Sequence, residues 1–215
     1  MARPLRLAII PEGPTDVRFF TPLLRRLVMA QDGLRPCDVP SDVLDLSSSS
    51  GLAATRAERI RDAVSRAEGS FDLLFVHADG ASDPLGKRRE QVDPGILAAG
   101  PWLPRRAAVG LVPVREMEAW ALADGDAIRR ALQTSKTDAD LAIPQSADRV
   151  ADPKEALNAV VCAAHPGAKR RRARSGADYL EVLGDAVSLD ALRRLPAFQA
   201  LEEELREALI ALRFL

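Results

Sequence analysis

The stretch LRLAIIPEGPTDVRFF, residues 5–20, decides how the rest of the chain is read. Leu5 to Ile10 is a run of apolar and β-branched residues, short enough for one strand buried on both faces. Pro11-Glu12-Gly13-Pro14 breaks the run, and Thr15 stands in an N-cap position. Val17, Phe20, Leu23, Leu24 and Leu27 then recur at helical spacing. A carboxylate, Glu12, is therefore expected on a glycine turn at the carboxyl end of a buried strand, with Asp16 in the next helical turn. In open α/β sheets that crevice is where ligands bind. The same residues also read as an ordinary βα loop with a solvated Glu and a capping residue.

The pattern recurs twice. FDLLFV, residues 71–76, is a second buried strand and runs into His77-Ala78-Asp79-Gly80, with Asp83 nearby. AAVGLVPV, residues 107–114, is a third, and delivers Arg115-Glu116-Met117-Glu118-Ala119-Trp120 where a strand turns into a helix. Between the first two strands lie a weak strand at Val43–Leu46, a serine turn from Ser47 to Gly51, and a helix starting at Thr55. That helix has Ile60, Ala63, Val64 and Ala67 on one face, with Gly69 as its C-cap. A polar insertion over 80–108 carries a short helix from Gln91 to Ala99. From about Gly125 the pattern is helical throughout, over 126–133, 153–164, 177–186, 188–194 and 196–214. The expectation is an α/β fold. A mostly parallel sheet with helices on both faces occupies residues 1–124, and a C-terminal helical region, 125–215, packs on it.

Composition narrows the function. The 215 residues carry a net charge of −1, so nucleic acid cannot be bound by overall charge and needs a local basic patch. The run Lys169-Arg170-Arg171-Arg172-Ala173-Arg174 is one such patch, and Lys154 is a further isolated cation; both also read as solvated surface. There is no apolar run long enough for a membrane span and no signal-peptide pattern, so no membrane association and a cytoplasmic location are expected. Cys37 and Cys162 are too few for a disulfide framework or a zinc site. No P-loop, nucleophile elbow or dinucleotide fingerprint is present.

The acids remain. Glu12 and Asp16, Asp79, and Glu116 and Glu118 all stand after buried strands, and carboxylates converging on one sheet edge cannot all ionise cheaply. Either some take up protons or a divalent cation neutralises them. Oxygen ligands suit Mg²⁺ or Mn²⁺, and such ions support phosphodiester cleavage.

These motifs resemble the Toprim domain, found in topoisomerases, bacterial primases and overcoming-lysogenization-defect (OLD) nucleases. The chain looks like one uncharacterised Toprim-like family of prokaryotic defence islands, often encoded beside an ATPase. The matching residues are EGPTD at 12–16, LVPVREMEAW at 111–120, DPKEAL at 152–157, and Tyr179…Gly184…Leu189…Leu192-Arg193…Pro196…Phe198. The resemblance implies a catalytic set of Glu12, Asp79 and Glu118, with metal held by Glu12, Asp16, Asp79, Glu116 and Glu118. The first Asp of the family's Asp-x-Asp is His77 here, and Glu118 or Glu116 would supply the missing carboxylate. An imidazole binds Mn²⁺ but is a poor Mg²⁺ ligand, so His77 signals either altered metal preference or lost catalysis; it also reads as a hydrogen-bonded strand end. Lys154, Lys169, Arg170, Arg171 and Arg172 would meet DNA or RNA phosphates. Trp102 suits base stacking or packing, whereas Trp120 reads as core. The implied function is a divalent-metal-dependent nuclease working in defence with an ATPase partner. The alternative is a non-catalytic Toprim-like sensor or interaction subunit of an ATPase complex. A third, weaker reading is ribosomal-RNA maturation.

Overall fold

The computed structural model describes residues 3–46, 55–166 and 175–215. Among the described residues the strands are β1 (Arg3–Pro4), β2 (Leu7–Ile10), β3 (Cys37–Asp38), β4 (Leu44–Asp45), β5 (Leu73–His77) and β6 (Ala108–Leu111). The last residues of β5 and β6 pair, His77 with Leu111, and Ile10 of β2 pairs with Val76. The main sheet runs β4-β2-β5-β6 with every pair parallel, and β1 and β3 form a separate two-residue parallel ladder. The chain steps outward from β2 to β4, then returns across β2 to β5, so the winding reverses between β2 and β5. Glu12 and Asp79 follow those two strands and flank the crevice where ligands bind in such sheets.

The strands are continuous apolar runs because both faces are covered. Leu7, Ile9, Leu73, Phe75, Val109 and Leu111 face the larger core. The alternate residues Ala8, Ile10, Leu74, Val76 and Ala78 face a smaller one, as the period of two requires. The helices are α1 (Pro14–Met29), α2 (Arg56–Arg66), α3 (Pro84–Lys87), α4 (Asp93–Ala99), α5 (Met117–Ala121), α6 (Gly125–Leu132), α7 (Asp138–Leu141), α8 (Pro153–Ala164), α9 (Leu180–Ala186), α10 (Leu189–Leu192) and α11 (Pro196–Ala211). Helices α2 and α4 cover the smaller core through Ile60, Ala63, Val64 and Ala99, with Val92 of the turn that precedes α4. The larger core takes α1 and the helices after Gly125. The expected parallel α/β sheet with helices on both faces is thus observed.

The boundary near residue 124 is a change of composition within one core. Phe20, Trp120, Leu183, Phe198 and Leu205 all belong to the larger cluster. Arg26 of α1 donates to the carbonyls of Gly184 (3.0 Å) and Val187 (2.8 Å), satisfying the end of α9. On the sheet's β6 edge, Glu204 of α11 accepts the Gly110 N–H at 3.1 Å and pairs with Arg88. An edge strand that would otherwise expose a donor is thereby closed by the last helix.

Four local expectations change, the first being that α2 ends at Arg66 with Ala67, not Gly69, as its C-cap. The first helix begins at Pro14 with Gly13, not Thr15, as N-cap; Asp16 at the third helical position reaches back to the turn's N–H groups. The third strand ends at Leu111, short of Val114, and the Pro113 carbonyl instead accepts from Gly80, at 3.1 Å. The short helix starts at Asp93 rather than Gln91, after a wider turn over Arg88–Val92. The serine turn at 47–51 lies outside the described residues. Among the described residues no helix is long and apolar enough to cross a membrane.

Candidate active site

Three loops leave the carboxyl ends of β2, β5 and β6 side by side. The turn after β2 is fixed by Asp16, whose Oδ2 accepts the N–H groups of Glu12 and Gly13, both at 2.8 Å. Asp16 is buried, 6 % exposed, so its first task is to clamp the glycine turn rather than to face a ligand. The clamp turns the Glu12 side chain toward the next loop, where Oε2 accepts the Asp79 N–H at 3.3 Å. This contact ties the first strand end to the second.

The second and third loops pair beyond the sheet. Ala78 N–H donates to Leu111 O at 3.1 Å, Gly80 N–H to Pro113 O at 3.1 Å, and Ala81 and Arg115 exchange both backbone bonds, at 3.1 and 2.8 Å. Ala81 and Arg115 both adopt left-handed backbone, with φ of 48° and 64°. Such conformations carry strain in residues other than glycine and are held here by the reciprocal bonds. Gly80 is required by space, since a Cβ there would lie 2.2 Å from the Pro113 carbonyl oxygen. The pairing sets Asp79 beside Glu116.

Glu116 is the N-cap of α5 and keeps an extended backbone, with φ −138° and ψ 165°. Glu118, two residues on, is 7 % exposed. Because Glu116 precedes the helix, the two carboxylates are not splayed as two helical residues at that spacing would be. Both hold their protons more tightly than ordinary glutamates. For Glu116 the causes are burial, then the charges of Asp79 and Asp152, partly offset by Lys154. For Glu118 they are burial, then Glu116 and Asp79, against its own backbone N–H and Lys154. These mutual effects bring Asp79, Glu116 and Glu118 into one electrostatic cluster. Glu116 also has one buried oxygen, Oε2, without a hydrogen-bond partner.

His77, the last residue of β5, is fully buried beneath this cluster. Its Nδ1 is 2.8 Å from the Leu111 carbonyl, and its ring packs on Phe20 with centroids 4.8 Å apart. Nε2 lies 3.4 Å from Asp79 Oδ1 and 3.6 Å from Asp16 Oδ2, aligned with neither as a hydrogen bond. Burial alone would lower its proton affinity. The Asp79 side chain, the charges of Asp16 and Asp79, and the Leu111 carbonyl outweigh that and raise it.

One cation at the site carried no motif. Arg56, at the first position of α2, sends Nη1 to Glu12 Oε1 at 3.3 Å, Nη2 to the His77 carbonyl, and Nε to the Gln91 carbonyl at 3.2 Å. Burial pulls its guanidinium below the usual value, against the attraction of Glu12, Asp16 and Asp79. The sequence offered only its place after the Thr55 cap, and nothing local connects it with Glu12.

Lys154 is brought to the cluster. Its charge acts on both Glu116 and Glu118 and offsets part of the rise in their proton affinity. Lys169, Arg170, Arg171 and Arg172 lie outside the described residues. Asp83 stands apart in function as the cap of α3, accepting the Gly86 N–H at 3.0 Å. Trp120 is wholly buried, edge-on to Phe20 and Phe198, while Trp102 is half-buried against the smaller core. As the side chains stand, no three His, Cys, Asp or Glu among the described residues are grouped closely enough to hold a metal ion.

No family model, no curated protein and no solved structure matches this chain.

Proposed function

We propose that the protein is a divalent-metal-dependent phosphodiesterase of Toprim type, a nuclease acting on DNA or RNA in the prokaryotic cytoplasm. In this reading it serves defence together with an ATPase encoded nearby. The observation that carries the reading is the convergence of Asp79, Glu116 and Glu118, whose two glutamates hold their protons more tightly through burial first and the neighbouring charges second. A divalent cation relieves that repulsion. Carboxylate oxygens suit Mg²⁺ or Mn²⁺ and Glu116 Oε2 is buried with no other partner, but the three side chains must draw together to hold an ion. Asp79, Glu116 and Glu118 would hold the ion, with Glu12 at its side. When bound, such an ion stabilises the charge developing on a phosphodiester and lowers the pKa of water.

The chain's own groups do the rest. Arg56 and the Asp79 N–H hold the Glu12 carboxylate in orientation, and Glu12 would take a proton from an attacking water. Asp16 positions Glu12 by fixing its turn. Lys154 would meet a phosphate, and the basic run at 169–172 would add charge for nucleic acid.

Incubation of the chain with plasmid, linear DNA and RNA, in Mg²⁺ or Mn²⁺, tests the reading, with and without the neighbouring gene's product. Metal-dependent cleavage is expected. Glu12→Gln keeps the shape but not the base, and should lower the rate by about 10²- to 10⁴-fold with an unchanged circular dichroism spectrum. Undiminished cleavage by that variant, or cleavage indifferent to a chelator, would overturn the mechanism.

A second reading draws on Arg56, which already neutralises Glu12. In it the site is a structural remnant, and the protein is a non-catalytic subunit docked on an ATPase. Neither metal binding nor cleavage, with co-purification of the ATPase, would select it.

A further inference from the structure

Arg56 is a cation held in place by neutral groups. From the first position of α2 its Nε donates to the Gln91 carbonyl at 3.2 Å and its Nη2 to the His77 carbonyl. The guanidinium is thus fixed at two corners by acceptors that carry no charge. Arg59, one turn on, adds a second positive charge near enough to act on it. The third corner, Nη1, meets Glu12 Oε1 at 3.3 Å. The other oxygen of that carboxylate, Oε2, accepts the Asp79 N–H, also at 3.3 Å. Two donors from different loops, a fixed guanidinium and a backbone N–H, therefore converge on one anion, and the chain itself supplies that anion.

The anion is loosely held. A charge-assisted hydrogen bond draws in to about 2.7–2.9 Å, and both contacts are longer. Arg56 and Glu12 keep 22 % and 28 % of their side-chain surface exposed, so solvent reaches the pair, and ion pairs open to water are weak. The turn that carries Glu12 is open as well, since nothing lies within 4 Å of the place a Cβ on Gly13 would take. The pair stands between the ends of β2 and β5, where the winding of the sheet reverses and ligands enter such folds. A planar guanidinium that stays charged, with a backbone N–H opposite, is a donor set that phosphate oxygens take.

Building on the proposal that nucleic acid enters this crevice, we infer that Arg56 Nη1 and the Asp79 N–H form its phosphate-oxygen site. The Glu12 carboxylate fills that site until a phosphodiester displaces it. One anion replaces another, so the guanidinium stays neutralised throughout. Glu12, paired in the resting chain, is released to meet water only when the phosphate has arrived. Arg56 is then a substrate-binding group, and its ion pair with Glu12 is a self-block that the substrate lifts.

The test uses the full chain in a chelator, so that neither metal nor cleavage enters. Binding of short fluorescein-labelled DNA and RNA strands is followed by anisotropy for wild type, Glu12→Gln, Arg56→Gln and the double variant. Arg56→Gln should weaken binding by roughly tenfold. Glu12→Gln removes the competing charge and should tighten it by roughly two- to fivefold, and that gain should vanish where Arg56 is already replaced. No gain, or the same gain in both backgrounds, would overturn the inference, since Glu12 would then at most repel the strand. Should Arg56→Gln fail to fold, the NMR resonance of the Glu12 side-chain carboxylate in the wild-type chain decides: added inorganic phosphate should shift it, and an unmoved resonance overturns the inference. Cleavage in Mg²⁺ or Mn²⁺ beside a flat binding series would leave the nuclease reading without this site. The expected series with no cleavage would keep the site and remove the nuclease reading.

Discussion

Gly80→Ala tests whether the loop pairing assembles the site. Gly80 does not use the left-handed region, so the cost is steric. The added Cβ would meet the Pro113 carbonyl oxygen at 2.2 Å and two Pro84 carbons at 3.0 Å, whereas ordinary contact begins at 3.4 Å. Loops 78–83 and 112–116 must therefore part by about 1.2 Å, breaking the Gly80–Pro113 hydrogen bond. Overpacking of this kind costs about 1–3 kcal/mol, and the lost bond adds about 1 kcal/mol. For a chain of this size the sum lowers Tm by roughly 4–16 °C. Asp79 moves with its loop away from Glu116 and Glu118, and on the proposed nuclease reading a misplacement of about 1 Å would cost cleavage on the order of 100-fold. Calorimetry gives Tm, and the cleavage assay proposed above reports the site if the nuclease reading holds. Gly100→Ala is the control, because nothing lies within 4 Å of its Cβ and its backbone is right-handed helical; it should be neutral or slightly stabilising. A Gly80→Ala protein with wild-type Tm and activity would refute the argument that these loops are held this close.

Asp72 accepts three bonds from Arg6, at 2.9, 3.0 and 3.2 Å. Burial pushes its carboxyl upward, but those bonds and the Arg6 charge prevail and lower its pKa. Its contribution is thus present above the unfolded carboxylate pKa and lost as pH falls through the lower folded value. Asp72→Asn should cost about 1–3 kcal/mol at pH 7, and in urea titrations the gap should narrow toward pH 3; a gap independent of pH would refute this. Glu204→Ala removes the acceptor for the edge-strand Gly110 N–H and for Arg88, which keeps Asp93 at 3.0 Å. A loss of about 1–3 kcal/mol is expected by urea denaturation, and an unchanged midpoint would show that α11 does not close the sheet.

The sequence by itself determined the sheet and the addresses of its acids. LAII, LLFV and AVGL are buried on both faces and so stand as unbroken apolar runs, each followed by a turn and a carboxylate; a local signal suffices for that. Where the chain is exposed and short, as in Arg3–Pro4 against Cys37–Asp38, no such run exists, and the ladder appears only in the fold. The site divides in the same way. That Glu12, Asp79, Glu116 and Glu118 stand at strand ends was legible; that Asp16 is a clamp on its own turn, that Arg56 neutralises Glu12 from 44 positions away in the chain, and that Lys154 joins the cluster were not. Those facts depend on which loops meet, and loops meet through Gly80 against Pro113 and through the winding reversal beside β2. Hydrophobic periodicity encodes what a residue is buried by. The partner of a charge is set by contacts between elements, and only tertiary structure decides those.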